Sequence, residues 1–402
     1  MKLTFKRFLS IVMSVIMLIG IMQVNVFAAN TDVKYDLYVE GVQVTGENCN
    51  DVLGDGGSVK FDGYTAILTL TNANITKAAY RSGSYSGIYA NGRITIELIG
   101  ENVIDLSSIS IDDKALAEVN GIINTRGNTT IKGNGSLFIA TPDDVSKSEG
   151  INAYNHSVYL EGGCTVEIET GDSFDPTGIK TNTHDDRIEI TGGSTLKIKT
   201  GDIYADQNTK AIIYGLITRT FFVTDNSTVN IQNGNIILTD NADSMIADIN
   251  SAVACQYIYV YNSSITAIAG KSGGVDDLWH GYPVKGSTGI SRTSDMNYDE
   301  INIQIHSSTV IASGYDKAFS SLGAVADSEE ITGVEFYCSD SVDGSDLKKI
   351  EVTSTGKDIE SPYVMIVPEG SYEPPERSFF EKIADFFRNL FESIADFFDY
   401  IF

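Results

Sequence analysis

A Gly-Ile step recurs along this chain at nearly constant intervals. It stands at Gly87-Ile88, Gly121-Ile122, Gly150-Ile151 and Gly178-Ile179, with openings 34, 29 and 28 residues apart. Ala211-Ile212 continues the series 33 residues on, and Gly289-Ile290 lies 78 beyond that. Each step leads through a polar stretch into a short alternating strand, a turn at Gly-Gly or an equivalent polar pair, and a second alternating strand. Val158-Tyr159-Leu160, Gly162-Gly163 and Val166-Glu167-Ile168 form one such unit; Ile188-Glu189-Ile190, Gly192-Gly193 and Leu196-Lys197-Ile198 form the next. The period of two puts Ile, Val and Leu on one face and Glu, Lys, Thr and Tyr on the other. One such unit cannot bury its apolar face alone, whereas a stack of them encloses a continuous core.

The spacing therefore predicts an all-β chain, a right-handed parallel β-helix over 76–340. Proline agrees, because only Pro142, Pro176 and Pro283 fall between residues 30 and 360 and doubly paired strands cannot spare amide donors. Residues 30–75 read differently, with a hairpin signal joining Val59 and Phe61 to Leu68 and Leu70, and form an expected N-terminal β cap over the first rung. Residues 341–375 read as a terminal β segment and linker.

Two segments stand apart. Lys2, Lys6 and Arg7 precede an apolar run from Phe8 to Met22, and Val26-Phe27-Ala28 supplies small residues at a cleavage site. Residues 1–28 read as a secretory signal peptide, which places the mature chain outside the cell or on the wall. Residues 376–402 carry Phe379, Ile383, Phe386, Phe387, Leu390, Phe391, Ile394, Phe397 and Phe398 on one stripe behind a Ser378/Glu381 capping box. That amphipathic helix folds onto the rod, joins a partner protein or a second copy of the chain, or enters lipid.

The chain holds 28 basic and 54 acidic residues, a net charge of −26. That excess argues against nucleic acid, whose phosphates need Lys and Arg. No nucleotide loop, nucleophile elbow, Cys-x-x-Cys or His-Glu-x-x-His is present. Cys49, Cys164, Cys255 and Cys338 lie too far apart for neighbouring-coil pairing and read as buried free thiols.

Carboxylates are the prominent candidates. Asp143/Asp144, Asp172/Asp175 and Asp202/Asp206 recur near the repeat spacing, and Asp185-Asp186 fall between them. Stacked coils bring equivalent corners to about 4.8 Å. Such a column either holds a hard cation, calcium with Asp172, Asp175, Asp185, Asp186, Asp202 and Asp206 as donors, or is a solvated acidic surface. Asp276-Asp277-Leu278-Trp279-His280-Gly281-Tyr282 interrupts the coils. Trp279 and Tyr282 beside Asp276 and Asp277 either form a sugar-binding face or plug a gap under their own loop. Arg126, Arg187 and Arg219 are placed where a base could stand, without a convergent signature.

The units from Glu149-Gly150-Ile151 through Val166-Glu167-Ile168, and from Gly178-Ile179 through Leu196-Lys197-Ile198, resemble secreted clostridial calcium-dependent carbohydrate-binding proteins of the polysaccharide-lyase-like β-helix type. The resemblance implies a non-catalytic carbohydrate-binding protein with polysaccharide as partner and calcium as cofactor. Its departures are Ser86, Glu149, Thr177 and Thr288 before the Gly-Ile steps, where that family often has Asp. Two other functions stand beside it: a lyase acting on acidic polysaccharide, by analogy of fold, and a surface scaffold or adhesin assembled through its C-terminal helix.

Overall fold

The computed structural model describes residues 32–181, 186–205, 210–238, 247–272, 285–292, 301–319, 331–351 and 361–372. The signal segment, the 376–402 helix and the Trp279 loop lie outside the described residues.

The chain is a parallel β-solenoid with three faces. Each coil lays one strand on each face, then steps up a rung. Glu118–Asn124, Thr129–Gly133 and Ser136–Ala140 make one coil; Lys147–Ala153, Val158–Glu161 and Thr165–Glu169 make the next. Equivalent strands pair in parallel, in register: Ile122 with Ile151, Ile131 with Leu160, Leu137 with Val166. The column of the first face reads Ile88, Ile122, Ile151, Ile179, Leu216, Val253 and Ile290, all buried. Like side chains stacked on like give a single core running the length of the rod.

The second and third faces alternate as the period of two demands. Thr165–Glu169 and Thr228–Gln232 bury every other residue. The first face does not alternate, and Glu118–Asn124 is buried at six of its seven positions. Glycine is the cause. A Cβ at Gly121 would collide with Ile139 of the third face and with the carbonyl of Gly150 one rung up; Gly150 and Gly178 are confined in the same way. The glycine and the isoleucine after it therefore both face inward, and the strand tightens against the opposite wall.

The pairing corrects one step of the repeat. Tyr214 pairs with Thr177 and Leu216 with Ile179, so the rung after Gly178 is centred on Gly215-Leu216 rather than on Ala211-Ile212. The coil after Gly178 is longer than its predecessors, and a two-stranded excursion, Ile203–Ala205 with Ile236–Leu238, covers a small second core of Ile203, Ala205, Ala211, Ile213 and Ile236. Insertion at this corner shifted the apparent period.

At the N-terminal side, Lys34–Val39 pairs antiparallel with Ser84–Ala90, and Val59 and Phe61 meet Leu70 and Leu68 across an antiparallel hairpin. Ile67–Thr71 already runs parallel to Ile94–Ile99. At the other side, Tyr363–Pro368 pairs antiparallel with Thr309–Ser313, and Val334–Ser339 follows it. These strands meet backbone groups that a parallel rung would leave open. The four cysteines are unpaired: Cys49, Cys164 and Cys255 are buried and Cys338 is half-buried. Burial pushes the Cys255 thiol up to about 12 and that of Cys338 to about 11, so both stay protonated and unreactive.

Gly121→Ala is expected to lower stability by about 1–3 kcal/mol, because the added methyl meets two unyielding neighbours. Gly121→Ala/Ile139→Ala removes the Ile139 Cγ2 that the new methyl would strike, so its loss of urea midpoint should be smaller than the sum of the two single losses; an additive double variant would show that the close approach at Gly121 is not the constraint.

Candidate functional site

The outer side of the first face carries a groove of about 760 Å³ that crosses four rungs. The glycine step builds it. Residues one before and two after each glycine point outward on either side of the step, and their side chains meet across it. Asn152 donates from Nδ2 to Glu149 Oε2 at 2.5 Å, spanning Gly150 within one strand. Lys180, two after Gly178, reaches back one rung to Glu149 at 2.9 Å. Glu118 and Lys147, paired in the parallel ladder, meet at 2.6 Å.

Glu149 is 2% exposed at its side chain and Lys180 35%. Burial by itself would lower the Lys180 ammonium, but the carboxylates of Glu149 and Asp175 outweigh it and hold Lys180 above the ordinary lysine range. Burial pushes the Asp175 carboxyl up, Lys180 opposes this, and Glu149 adds to it. Thr177 Oγ1 donates to Asp175 at 3.3 Å. Tyr89, buried, and Tyr154, 60% exposed, contribute aromatic surface to the groove, and Arg126 lies in its lining.

Three lining atoms have no hydrogen-bond partner among the described residues although each is buried: Ser84 Oγ, Asn120 Oδ1 and Asn152 Oδ1. Buried polar atoms in native structures nearly always find a partner. Of the six such atoms among the described residues, these three gather in one groove, while Ser173 Oγ, Ser227 Oγ and Asn233 Oδ1 lie elsewhere.

The carboxylates expected to stack do so in part. Asp143 Oδ1 accepts from the amide of Asp172 at 2.9 Å, Asp172 Oδ1 from that of Asp202 at 2.7 Å, and Asp202 Oδ1 from that of Asn235 at 2.6 Å. Asn235 Oδ1 continues to the amide of Lys271 at 3.0 Å. Glycine again sets the spacing: Gly171, Gly201, Gly234 and Gly270 precede these residues, and a Cβ on any of them would strike backbone of the rung below. The corner is an oxygen ladder in which each side chain satisfies the next rung's N–H. Burial raises the Asp172 carboxyl against the pull of the Asp202 amide, and Asp143, Asp202 and Asp144 raise it further. Asp175 is not part of the ladder; it lies with Lys180 at the first face. Asp186 stands at the entry to the second face, where its carbonyl accepts from Thr220 at 3.3 Å. Asp185, Asp206, Asp276, Asp277, Trp279 and Tyr282 lie outside the described residues. Among the described residues no group of three or more His, Cys, Asp or Glu side chains is placed to hold a metal ion.

Of the three arginines, only Arg126 lies in the groove. Arg187 Nε donates to Tyr159 OH at 3.2 Å on the second face, and Arg219 Nε to Gln256 Oε1 at 3.3 Å. On that face Phe222 and Tyr259 stack on successive rungs with ring centroids 4.5 Å apart. Their faces are turned to each other, which makes this an internal ladder rather than an open platform.

Sequence reading missed the groove. Glu149 and Thr177 stood out only as residues before glycine, and Asn152 and Lys180 only as polar strand positions. The available signal was the spacing itself: residues one before and two after each Gly-Ile step, taken down the repeat, give Asn120, Glu149, Asn152 and Lys180. Comparison of the chain with family models, with curated proteins and with solved structures finds no match in any of the three.

Asp175 holds its proton more tightly folded than unfolded, so folding takes up a proton between the ordinary value of 3.8 and the raised one, and stability falls as pH climbs through that window. Asp175→Asn is therefore expected to raise the melting temperature at pH 7, with the gain vanishing below pH 3.8 where both states are protonated. A gain that persists unchanged at pH 3 would show that the desolvated charge is not its source.

Proposed function

We propose that this chain is a secreted or cell-surface carbohydrate-binding β-helix and that the glycan lies in the first-face groove. The observation that carries the reading is the set of buried, unpartnered polar atoms lining a long open cleft with tyrosines beside them. A polymer of hydroxyls supplies hydrogen-bond partners at short regular intervals, and its C–H faces pack on aromatic rings. The coils wind right-handed, as parallel crossover connections overwhelmingly do. The antiparallel strands of residues 33–75 act as the cap of the stack, and the helix of 376–402 attaches the rod to a partner or to another copy.

Binding without cleavage is the better-supported form of this reading. A lyase needs a base that can give up its proton near neutral pH, and Lys180 is held protonated by Glu149 and Asp175. Lys147 already engages Glu118 at 2.6 Å.

A glycan array probed with the full chain, with calcium and with chelator, tests the proposal and separates a metal-bridged mode from a direct one; silence under both conditions would end it. Tyr154→Ala should leave the fold intact, since this ring is mostly exposed, and should weaken retention of the bound glycan by roughly two- to tenfold. Unchanged retention would remove the ring from the site.

A further inference from the structure

The unpartnered atoms of the groove specify what the ligand must bring. Asn152 gives its Nδ2 to Glu149 at 2.5 Å. Ionised Glu149, held by Lys180, only accepts, so the Asn152 amide cannot turn over, and the atom left without a partner is fixed as the acceptor Oδ1. Asn120 Oδ1 is a second buried acceptor one rung below, and Ser84 Oγ a hydroxyl one rung below that. Asn120 and Ser84 are 1% and 3% exposed. The three stand on successive rungs but at different registers: Asn120 pairs with Ser86 and Asn152 with Ile123, so each step of about 4.8 Å along the rod is also a step of two or three residues along the strand, and the row runs obliquely across the face.

The charges of the groove specify what the ligand must lack. Lys147 and Lys180 each already hold a glutamate, at 2.6 and 2.9 Å. Arg126 adds one charge, far fewer than the cation per rung that a polyuronate would need for each of its carboxylates. A polyanion would also meet the carboxylates of Glu118 and Glu149 and the field of a chain of net charge −26.

Resting on the carbohydrate reading above, the geometry points to an uncharged, unbranched, hydroxyl-donating chain that crosses the first face obliquely and donates to Asn152, Asn120 and Ser84 in turn. The glutamate–lysine pairs serve as positioning groups: Glu149 orients Asn152, and Lys180 holds Glu149.

The orphaned state gives the test a signature that a structural role would not produce. Removing a buried polar group that has no partner relieves a desolvation cost, so Asn120→Leu should raise the melting temperature of the free protein. The same change deletes a ligand contact and should weaken binding at least tenfold. Ser84→Ala should behave in the same direction and leaves every existing hydrogen bond in place. Titration calorimetry of the full chain with cellohexaose, xylohexaose, mannohexaose and hexagalacturonate reads the affinity, and thermal melts of the free variants read the stability. Support requires that a neutral hexamer binds, that hexagalacturonate binds at least tenfold more weakly, and that Asn120→Leu and Ser84→Ala lose affinity while keeping or gaining stability. Preference for hexagalacturonate, or neutral binding untouched by both substitutions, overturns the inference and leaves the carbohydrate reading standing. Failure of all four oligosaccharides, together with a silent glycan array, overturns both.

Discussion

Backbone approach at the stacked glycines governs this molecule. At Gly121, Gly150 and Gly178 a single methyl would meet an isoleucine of the opposite wall and the carbonyl of the next rung. The missing side chain lets two successive residues face inward, draws the first face against the third, and leaves the flanking polar side chains to meet on the outside. The core and the groove are thus two consequences of one constraint. The second glycine column, through Gly171, Gly201 and Gly234, does the same at a corner, where backbone packs on backbone and the following aspartate or asparagine bonds to the amide above.

Burial on both sides gives the first face its chemistry. On the other two faces an outward side chain is solvated, and its charge is screened. On the first face Glu149 is almost fully enclosed and must be answered by Lys180 and Asn152. A buried ion pair contributes little net stability, since desolvation offsets the attraction. Its effect here is orientation: the pair fixes one amide, and that amide presents a fixed acceptor. The acidic corner differs in kind, because its carboxylate oxygens are directed at backbone N–H groups of the stack itself.

Much of the architecture could be read from the chain. Period-two strands, the regular Gly-Ile steps and the scarcity of proline led to a stack of parallel coils, and the structure is one. The register slipped where Ala211-Ile212 imitated the Gly-Ile step four residues ahead of Gly215, because the inserted strand at 203–205 lengthened that coil, as 236–238 does the next. The aspartate spacing was legible too, and Asp143, Asp172 and Asp202 do stack. Their hydrogen bonds to the next rung were not legible, since the sequence shows which carboxylates align but not which amides they face.

By itself, then, the sequence determined what repeats: which residues alternate, where glycine recurs, and therefore that equivalent positions stack. Tertiary structure alone decided which non-equivalent positions meet. Glu149 and Lys180 are 31 residues apart and occupy different places in the repeat, one before and one after the glycine. A period fixes neighbours along a column, whereas contact between columns depends on how the strand bends at a residue without a side chain, and that bend is set by the opposite wall of the coil.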